Sequence, residues 1–253
     1  MLRVHHSKES LEEGALLPWF SYRVTWPLDP LPDIASRPHI RTERLLVRPL
    51  LTSDTEAFYK LRSDPELQQH SIARGLPDTN EEQTRSYIES LQSPGDEAHW
   101  YFGAFLASTG ELIGEGGLPD TEGRKARTGW PEADFLIARE YQRQGYGTEF
   151  YRAVMDSWWK LPRERRRRQL HPFAVPGIEA GAELVDHVTI LYESSNEAAE
   201  SFFVKMASTE KVTLAGTSEE YDMREGRPRE LINWSGMTIT NPVPFVDPEE
   251  EME

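Results

Sequence analysis

The chain has no cysteine, and no apolar run approaches the roughly 18 residues needed to cross a bilayer. Without cysteine there are no disulfides, no thiol catalysis and no thiolate metal sites, which suits a reducing compartment. Basic residues are also few, because 28 Lys and Arg face 43 Asp and Glu and leave a formal net charge of −15. This excess argues against nucleic acid or an anionic membrane as partner, since both are polyanions. The N-terminus lacks the apolar segment of a signal peptide, so we expect a cytoplasmic protein.

Motifs that would assign a hydrolase or a metal enzyme are missing too. No G-x-S-x-G nucleophile elbow occurs in the sequence. The seven histidines are scattered, and the one adjacent pair, His5 and His6, lies close to the N-terminus. The sequence therefore predicts neither a Ser-His-Asp hydrolase nor a bound metal.

The most informative stretch is Ala133–Thr148, ADFLIAREYQRQGYGT. Its apolar run Phe135–Ala138 predicts a short buried strand, and Gly145 and Gly147 precede a helical pattern that starts near Phe150. A glycine turn that leads into a helix leaves backbone N–H groups unpaired, and with the helix dipole they favour an anion by about 0.3–1 kcal/mol. Without Cβ atoms the two glycines let a phosphate approach the backbone closely. We therefore predict an anion site at this turn.

Three phosphate-binding patterns and one structural alternative compete for this turn. A P-loop requires a lysine after its glycines, and none follows here. The dinucleotide fingerprint G-x-G-x-x-G fails at its third glycine, where Phe150 stands. The pattern Q-x-x-G-x-G is complete from Gln142 to Gly147. A glycine turn that only joins two elements would give the same short pattern.

The rest of the chain carries strand and helix patterns. The expected strands are Ile40–Leu50, Trp100–Leu106, Glu111–Leu118, His187–Tyr192, Thr213–Thr217 and Arg229–Ser235. The expected helices are one after Thr52 or Ser53 with Ala57, Phe58 and Leu61 inward, one over about Asn80–Gln92, one from about Gly145 to Trp159, and one over Asn196–Ala207. Gly114, Gly116 and Gly117 would weaken their strand unless another backbone or a ligand passes close to it.

Taken together, these patterns resemble the GNAT N-acetyltransferase superfamily, in particular its RimJ/RimL-like branch. The stretch TERLLVRPL, Thr42–Leu50, is close to the opening strand of that branch, and ELIGEGGL, Glu111–Leu118, is similar to a later one. The loop QRQGYG resembles the family's pyrophosphate loop, which holds acetyl-coenzyme A. The resemblance implies a single α/β (α+β) domain over residues 39–237. Its mixed, mainly antiparallel sheet would be flanked by helices and splayed where acetyl-CoA enters.

The resemblance also implies which residues hold acetyl-CoA. The family pattern N-x-x-S-x-x-x-x-x-K-x-G-F matches at Asn196 and Lys205 and departs at Ala199, Ala207 and Ser208. In the family this helix lies beside the pantetheine arm, to which Asn196 would hydrogen-bond. The implied cofactor contacts are Leu136, Ile137, Ala138, Gln142, Arg143, Gln144, Gly145, Tyr146, Gly147, Thr148, Asn196, Phe203 and Lys205.

An N-acetyltransferase must present a neutral amine to the acetyl thioester. Neutralising a lysine-type amine of pKa about 10.4 at pH 7 costs about 4.6 kcal/mol, whereas an α-amino or aromatic amine needs about 1 kcal/mol or nothing. The branch carries a Glu that aligns with Glu132 and a Gly where Asp134 stands, and residues two apart on a strand share a face about 7 Å apart. We expect Glu132 as base and Asp134 as ammonium anchor, with two exposed strand-end charges as the alternative. Many members carry a Tyr where Phe203 stands, so Tyr192 or a water would have to protonate the thiolate.

Two segments are longer than the family fold requires. The extension over residues 1–38 is expected to lie extended across the domain or to be surface padding. The connector over residues 160–186 holds the basic run Arg163–Arg168, for which a solvated helical turn is favoured over a phosphate or nucleic-acid patch because the protein is acidic. Long insertions often serve as lids, so we expect both to border the acceptor cleft. Residues 238–253 are expected to form an acidic, disordered tail.

The sequence thus predicts an acyl-CoA N-acyltransferase that moves an acetyl group to an amine of a small molecule or a protein N-terminus, with the small molecule favoured. The alternative is a GNAT-fold protein without acetyl transfer, either a CoA-linked regulatory or interaction module or a biosynthetic enzyme with other chemistry. Phe203 and the altered helix at Asn196 favour the alternative, whereas the complete QRQGYG loop favours the enzyme.

Overall fold

The computed structural model describes residues 19–71, 76–123, 128–175, 177–208, 212–222, 224 and 227–244. The strands are β1 (Phe20–Pro27), β2 (Ile40–Arg41), β3 (Leu45–Arg48), β4 (Trp100–Leu106), β5 (Leu112–Asp120), β6 (Glu132–Ile137), β7 (Arg163–Leu170), β8 (Glu183–Leu184), β9 (His187–Glu193), β10 (Val212–Tyr221) and β11 (Leu231–Thr240). The α-helices are α1 (Thr55–Arg62), α2 (Pro65–Gln68), α3 (Glu81–Ser90), α4 (Tyr146–Trp159) and α5 (Glu197–Ala207).

The main sheet has eight strands in the order β10-β11-β9-β6-β5-β4-β3-β2. Neighbouring strands pair antiparallel except β6 and β9, which run parallel. The prediction of a mixed, mainly antiparallel sheet flanked by helices is confirmed. The predicted β4–β5 hairpin and the helices α3, α4 and α5 are also confirmed, within a few residues at their ends.

Side chains of β6 alternate between two apolar clusters on opposite faces of this sheet. Ile137 packs in the larger cluster, which includes Phe150 of α4. Leu136 packs in the second cluster with Phe58 of α1 and Ile88 of α3. We call these two sides the α4–α5 face and the α1–α3 face. The two-residue period of the strand is thus what divides the sheet into its two sides.

The glycines of β5 stand where neighbouring backbones come too close for a side chain. Gly117 has φ of +137°, and a Cβ there would lie 2.1 Å from the Trp100 carbonyl oxygen of β4. A Cβ on Gly116 would lie 2.7 Å from the Asp134 carbonyl oxygen of β6. The close approach predicted for this strand is therefore made by the strands on both sides of it.

The prediction was wrong at the start of the main sheet. The single strand expected over Ile40–Leu50 is two short strands, β2 and β3, which pair antiparallel. Thr42 stabilises the turn between them, because its hydroxyl accepts a hydrogen bond from the Leu45 N–H and its own N–H donates to the Leu45 carbonyl. Helix α1 then begins at Thr55, after a short 3-10 turn, and Ala57 is exposed rather than inward.

The largest correction concerns the extension and the connector, which together form a second sheet in the order β7-β1-β8. β1 pairs antiparallel with β7 along its whole length, from Phe20 opposite Leu170 to Pro27 opposite Arg163. The basic run Arg163–Arg168 is therefore a strand and not a helical turn.

Charge pairing and burial explain this strand. Val24 and Trp26 of β1 are buried, so the extension is not surface padding. On β7, opposite the buried side chains, Arg166 and Arg168 form ion pairs with Glu122 at 3.7 and 2.6 Å. Acidic partners thus neutralise the basic run within this sheet.

The second sheet is anchored where β6 and β9 begin. Trp26 stacks on Trp130, two residues before β6, with ring centroids 6.1 Å apart. Asp186, directly before β9, accepts a hydrogen bond from the Thr25 hydroxyl at 3.0 Å and pairs with Arg163 at 3.0 Å. The extension thus joins the connector to the N-terminal ends of these two strands. That it also borders an acceptor cleft stays a prediction.

The domain limits stay a prediction, with one local correction. β11 continues to Thr240 and so passes the boundary that we predicted at residue 237. Residues 1–18, with His5 and His6, and the acidic tail from residue 245 lie outside the described residues. No helix in the described ranges is long and apolar enough to span a membrane.

Candidate active site

The main sheet opens between β6 and β9. These parallel strands share one registered pair, Glu132 with Thr189, and beside it the Thr189 N–H donates to the Pro131 carbonyl at 2.9 Å. In the described ranges no further pair joins the two strands, and we call the gap between them, from this pair toward their C-terminal ends, the V. The Ala138 N–H donates to Ile113 of β5 at 2.8 Å. By strand alternation the main-chain groups of Phe135 and Ile137 therefore point into the opening.

The glycine loop lies at the open end of the V, on the α4–α5 face. The Gln142 amide donates to the Ile137 carbonyl at 2.8 Å and so fixes the loop to the end of β6. Arg143 and Gly145 both have left-handed backbones, with φ of 62° and 87°. Gly145 occupies the position before α4 and has no side chain with which to cap that helix. The first N–H groups of α4 are thus available to an anion.

The residues around this loop fit a pyrophosphate. A Cβ on Gly145 would meet no atom closer than Arg44 Nη2 at 3.3 Å, and one on Gly147 none closer than Ile137 Cγ1 at 3.7 Å. Space beside the loop is thus open to a bulky anion. The Arg44 guanidinium lies 4.2 Å from the centre of the Tyr146 ring and donates to the Gln144 carbonyl at 2.9 Å. Its positive charge lies at the same place and is paired there with Glu149 at 2.8 Å.

A groove of about 830 Å³ lies between α4 and the chain around β2. Gly145 and Thr148 line it at the N-terminus of the helix, and Lys205 of α5 reaches it as well. The structure therefore brings together predicted cofactor residues from two helices that are more than 50 residues apart in the sequence.

Helix α5 places its two other predicted cofactor residues differently from the family pattern. The Asn196 side-chain oxygen caps the helix by accepting the Ala199 N–H at 3.1 Å. Phe203 is buried and stacks on Tyr192 of β9, with ring centroids 5.5 Å apart. Tyr192, whose hydroxyl was predicted to replace that of the Tyr found at the Phe203 position in many family members, is thus a direct neighbour of Phe203.

The two predicted catalytic carboxylates lie on the α1–α3 face, because they alternate with the same period as Leu136. Glu132 belongs to the single pair that joins β6 to β9, so it stands at the closed end of the V. Asp134 stands one step nearer the open end and accepts a hydrogen bond from the Ser71 hydroxyl at 3.2 Å. Glu132 and Asp134 therefore lie on the same face of β6, but their surroundings differ.

A buried ionic network that sequence reasoning missed lies next to Asp134. Arg62 pairs with Asp78 at 2.9 Å and with Glu115 at 2.9 Å, and the Tyr101 hydroxyl donates to Glu115 at 2.9 Å. Burial, and after it the Glu115 carboxylate, raises the pKa of Tyr101 well above its ordinary value, so Tyr101 keeps its proton. These residues come from α1, the segment before α3, β4 and β5, and no local pattern links them.

A second cluster borders the opening on the α1–α3 side. Arg224, from the segment between β10 and β11, donates to Glu193 at the end of β9 and to Asp222, both at 2.7 Å. It also donates to the carbonyls of Gln69 and Ser71 in the loop after α2, at 2.9 and 3.4 Å. The loop after α2, β9 and the β10–β11 segment therefore meet at one buried guanidinium. Among the described residues, no group of three metal-binding side chains is found.

Comparison with known proteins agrees with this geometry. The sequence matches the family model described as "Acetyltransferase (GNAT) domain" over residues 44–209. No curated protein sequence matches the chain.

The structure is similar to several solved acetyltransferases. A GNAT-family acetyltransferase from Bacillus anthracis aligns with a TM-score of 0.50 and 15% identity, over 81% of this chain and 99% of that one. One from Streptococcus pneumoniae aligns with a TM-score of 0.50 and 16% identity, over 78% and 98%. RimL, described as a ribosomal L7/L12 α-N-protein acetyltransferase in complex with coenzyme A, aligns with a TM-score of 0.52 and 16% identity, over 79% and 97%. At these identities the likeness establishes the fold.

Proposed function

This chain belongs to the GNAT acetyltransferase family, and we propose that its acceptor is a primary amine bound on the α1–α3 face of the main sheet. The chain is an N-acetyltransferase with acetyl-CoA as co-substrate, and the family match favours this enzyme over the non-acetylating module. One observation carries the proposal. Beside the gap between β6 and β9, β6 carries Asp134 on one face of the sheet and leads into the glycine loop and α4 on the other.

On the α4–α5 face, the loop Gln142–Thr148 would hold the pyrophosphate through the backbone N–H groups at the start of α4. Lys205, which lines the same groove, supplies a cation to the phosphates. The main-chain groups of Phe135 and Ile137 would pair with the pantetheine amides as a neighbouring strand does. Because the Asn196 oxygen already caps α5, only its amide N–H group would serve the pantetheine arm.

Bound acetyl-CoA supplies the activated acetyl group, and the chain must then protonate the departing thiolate. Burial, followed by the nearby Glu200 carboxylate, raises the pKa of Tyr192. Tyr192 therefore holds its proton at neutral pH and remains a donor. Its stacking on Phe203 supports it as the replacement for the hydroxyl that Phe203 lacks.

On the α1–α3 face, Asp134 is the proposed anchor for the acceptor ammonium. Its carboxylate stands beside the opening, held by the Ser71 hydroxyl. Glu132, predicted from the family pattern as the base, stands at the closed end of the V, where β6 and β9 are joined. The geometry thus supports Asp134 more strongly than Glu132 as a group that touches the acceptor.

The acceptor is proposed to be a small primary amine or the α-amine of a protein. The acidic side chains on this face support a cationic acceptor, because an ammonium gains from nearby carboxylates. RimL is described as acting on a protein α-amine, which supports the second class. The absence of cysteine supports a reducing compartment such as the cytoplasm.

The test is a thiol-release assay on the purified protein with acetyl-CoA and a panel of amines. The panel consists of phenethylamine, spermidine, aniline and a tripeptide with a free α-amine. Amine-dependent release of CoA thiol, with a mass increase of the amine by one acetyl group, is expected. Tight acetyl-CoA binding without release for any amine would contradict the proposed function.

A further inference from the structure

The loop after α2 reaches both walls of the V on the α1–α3 face with two consecutive residues. The Ser71 hydroxyl donates to Asp134 of β6 at 3.2 Å. The His70 ring presents Nδ1 to the Glu193 carboxylate at the end of β9, 3.9 Å away. His70 therefore lies on the α1–α3 side of the V, where the acceptor is proposed to bind.

The backbone on both sides of His70 is held by one buried side chain. Arg224 donates to the carbonyl of the preceding Gln69 at 2.9 Å and to that of the following Ser71 at 3.4 Å. The same guanidinium donates to Oε1 of Glu193 at 2.7 Å and leaves Oε2 toward the imidazole. The ring and its carboxylate partner are thus fixed relative to each other.

The surroundings of the ring suit a proton acceptor. The Gln69 amide nitrogen lies 3.2 Å from Nε2. In the tautomer that carries its proton on Nδ1, Nε2 accepts the hydrogen bond from this amide, and the Nδ1–H is on the side of Glu193. About a third of the His70 side chain is exposed (33%), so an incoming amine can replace the exposed Gln69 amide. Glu193 is too far from Nδ1 for a hydrogen bond, but at 3.9 Å its charge is close enough to stabilise the imidazolium that forms when Nε2 takes a proton.

We propose that His70 is the catalytic base, with Glu193 and Arg224 as positioning residues; this rests on the proposed function. Nε2 takes one proton from the acceptor ammonium, and the freed lone pair attacks the thioester carbonyl carbon. The C–N bond forms and the C–S bond breaks. The thiolate takes up a proton from Tyr192, the second amine proton replaces the one that Tyr192 gave up, and the imidazolium returns its proton to solvent.

Glu132 is the alternative candidate for the catalytic base. Both groups lie on the α1–α3 face, but Glu132 is at the closed end of the V, whereas His70 and Asp134 face its mouth. Removing the true base should therefore separate the two candidates.

The experiment compares His70→Gln, Glu132→Gln and Glu193→Gln, with His39→Gln as the matched control. His39 is exposed beside β2, four strands away from β6, or about 19 Å. Steady-state rates are measured at pH 7 with phenethylamine, which is protonated, and with aniline, which is neutral. Acetyl-CoA affinity is measured by calorimetry for each variant.

His70→Gln should lower kcat with phenethylamine by about 10²–10⁴-fold and leave aniline turnover within about threefold, because only the protonated amine needs a base. Glu193→Gln should show the same preference, with a smaller loss of about 10-fold. Added imidazole should restore part of the phenethylamine rate in His70→Gly. Glu132→Gln should lose less phenethylamine turnover than His70→Gln, the control His39→Gln should stay near wild type, and acetyl-CoA affinity should be unchanged in all variants.

Two results would overturn the role of His70. One is near-full phenethylamine turnover in His70→Gln while Glu132→Gln is inactive. The other is an equal loss with both amines and no rescue by imidazole, which would mean a structural role. A wild-type protein that binds acetyl-CoA but acetylates no amine would instead contradict the proposed function itself, and the role of His70 with it.

Discussion

On the α4–α5 face of the main sheet, charged groups gather at the rim, whereas on the α1–α3 face they are buried. Arg44, beside the glycine loop, has 38% of its side chain exposed, and Arg62, below Asp134, has only 3%. The first face presents backbone N–H groups and an open groove. The second presents side chains that are already paired with one another.

The difference matches the two tasks that the faces are proposed to perform. A pyrophosphate is recognised by its charge and shape, for which helix N–H groups and exposed cations are enough. An amine that must lose a proton requires groups held at defined distances in a water-poor place. The ionic network around Arg62 supports that second kind of site from below.

The sharpest way to break this comparison is to remove the two arginines in turn. Arg62→Met should lower the free energy of unfolding by about 3–5 kcal/mol, because it leaves the Asp78 and Glu115 carboxylates buried without their partner. Arg44→Met should cost about 0–1 kcal/mol, since its pair with Glu149 is partly exposed. Urea unfolding of both variants measures the difference.

Equal losses in the two variants would contradict the distinction between a rim and a buried network. The charge state of Arg62 is not in question at any accessible pH. Burial alone would lower the pKa of Arg62, but Glu115, Tyr87, Tyr101 and Asp78 together outweigh burial and raise it.

Acid should destabilise the α1–α3 side through His99. Its Nε2–H donates to the Leu91 carbonyl at 2.9 Å, and burial, followed by the positive charge of Arg37, lowers the pKa of His99 from 6.5 to about 4. Between pH 6.5 and about 4, His99 is therefore protonated in the unfolded chain but neutral in the folded chain. Stability is lost as the pH falls through this window, by about 3 kcal/mol at its lower end.

His99→Gln should remove that part of the acid dependence while keeping a donor for the Leu91 carbonyl. Urea unfolding at pH 7 and pH 4.5 measures it for wild type and variant. An identical loss of stability in both proteins would assign the acid sensitivity to other groups.

A small effect, like that of Arg44→Met, is expected at the rim of the α4–α5 face from Glu149→Gln. Burial would raise the pKa of Glu149, but hydrogen bonds from Thr42 and Arg44 outweigh it and lower the pKa. The ionised carboxylate therefore stabilises the folded state above pH 4.5, and this contribution is lost on acidification. The variant should lose about 1 kcal/mol at pH 7. A loss as large as that of Arg62→Met would show that this rim is as demanding as the buried network.

The two faces also differ in how far the sequence predicts them. Local patterns predict the glycine loop, helix α4 and strand β6. These patterns are the spacing of Gly145 and Gly147 and the apolar run before them. The same holds for the hairpin β4–β5, where a turn separates two strand patterns.

The α1–α3 face depends on contacts between distant residues, which no local pattern reveals. Arg224 lies 153 residues from Ser71, to whose carbonyl it donates, and Arg62 lies 53 residues from Glu115. The second sheet was not predicted for the same reason. A run of arginines is stable as a strand only when Glu122 and β1 are beside it. The ion pairs of Glu122 with Arg166 and Arg168 would have indicated the strand. Such distant pairs cannot be identified from a single sequence.

The most direct test of the division between the faces is calorimetric titration of acetyl-CoA into wild type, Gly145→Asp, Gly145→Asn and Asp134→Asn. Asp adds a negative charge against the phosphates and should weaken binding by about 100-fold or more. Asn has nearly the same shape and tolerates the left-handed backbone of Gly145, so it should bind far better than Asp. Asp134→Asn should leave acetyl-CoA affinity unchanged and raise only the acceptor KM. Equal affinity in the Asp and Asn variants, or an equal loss in Asp134→Asn, would contradict this account.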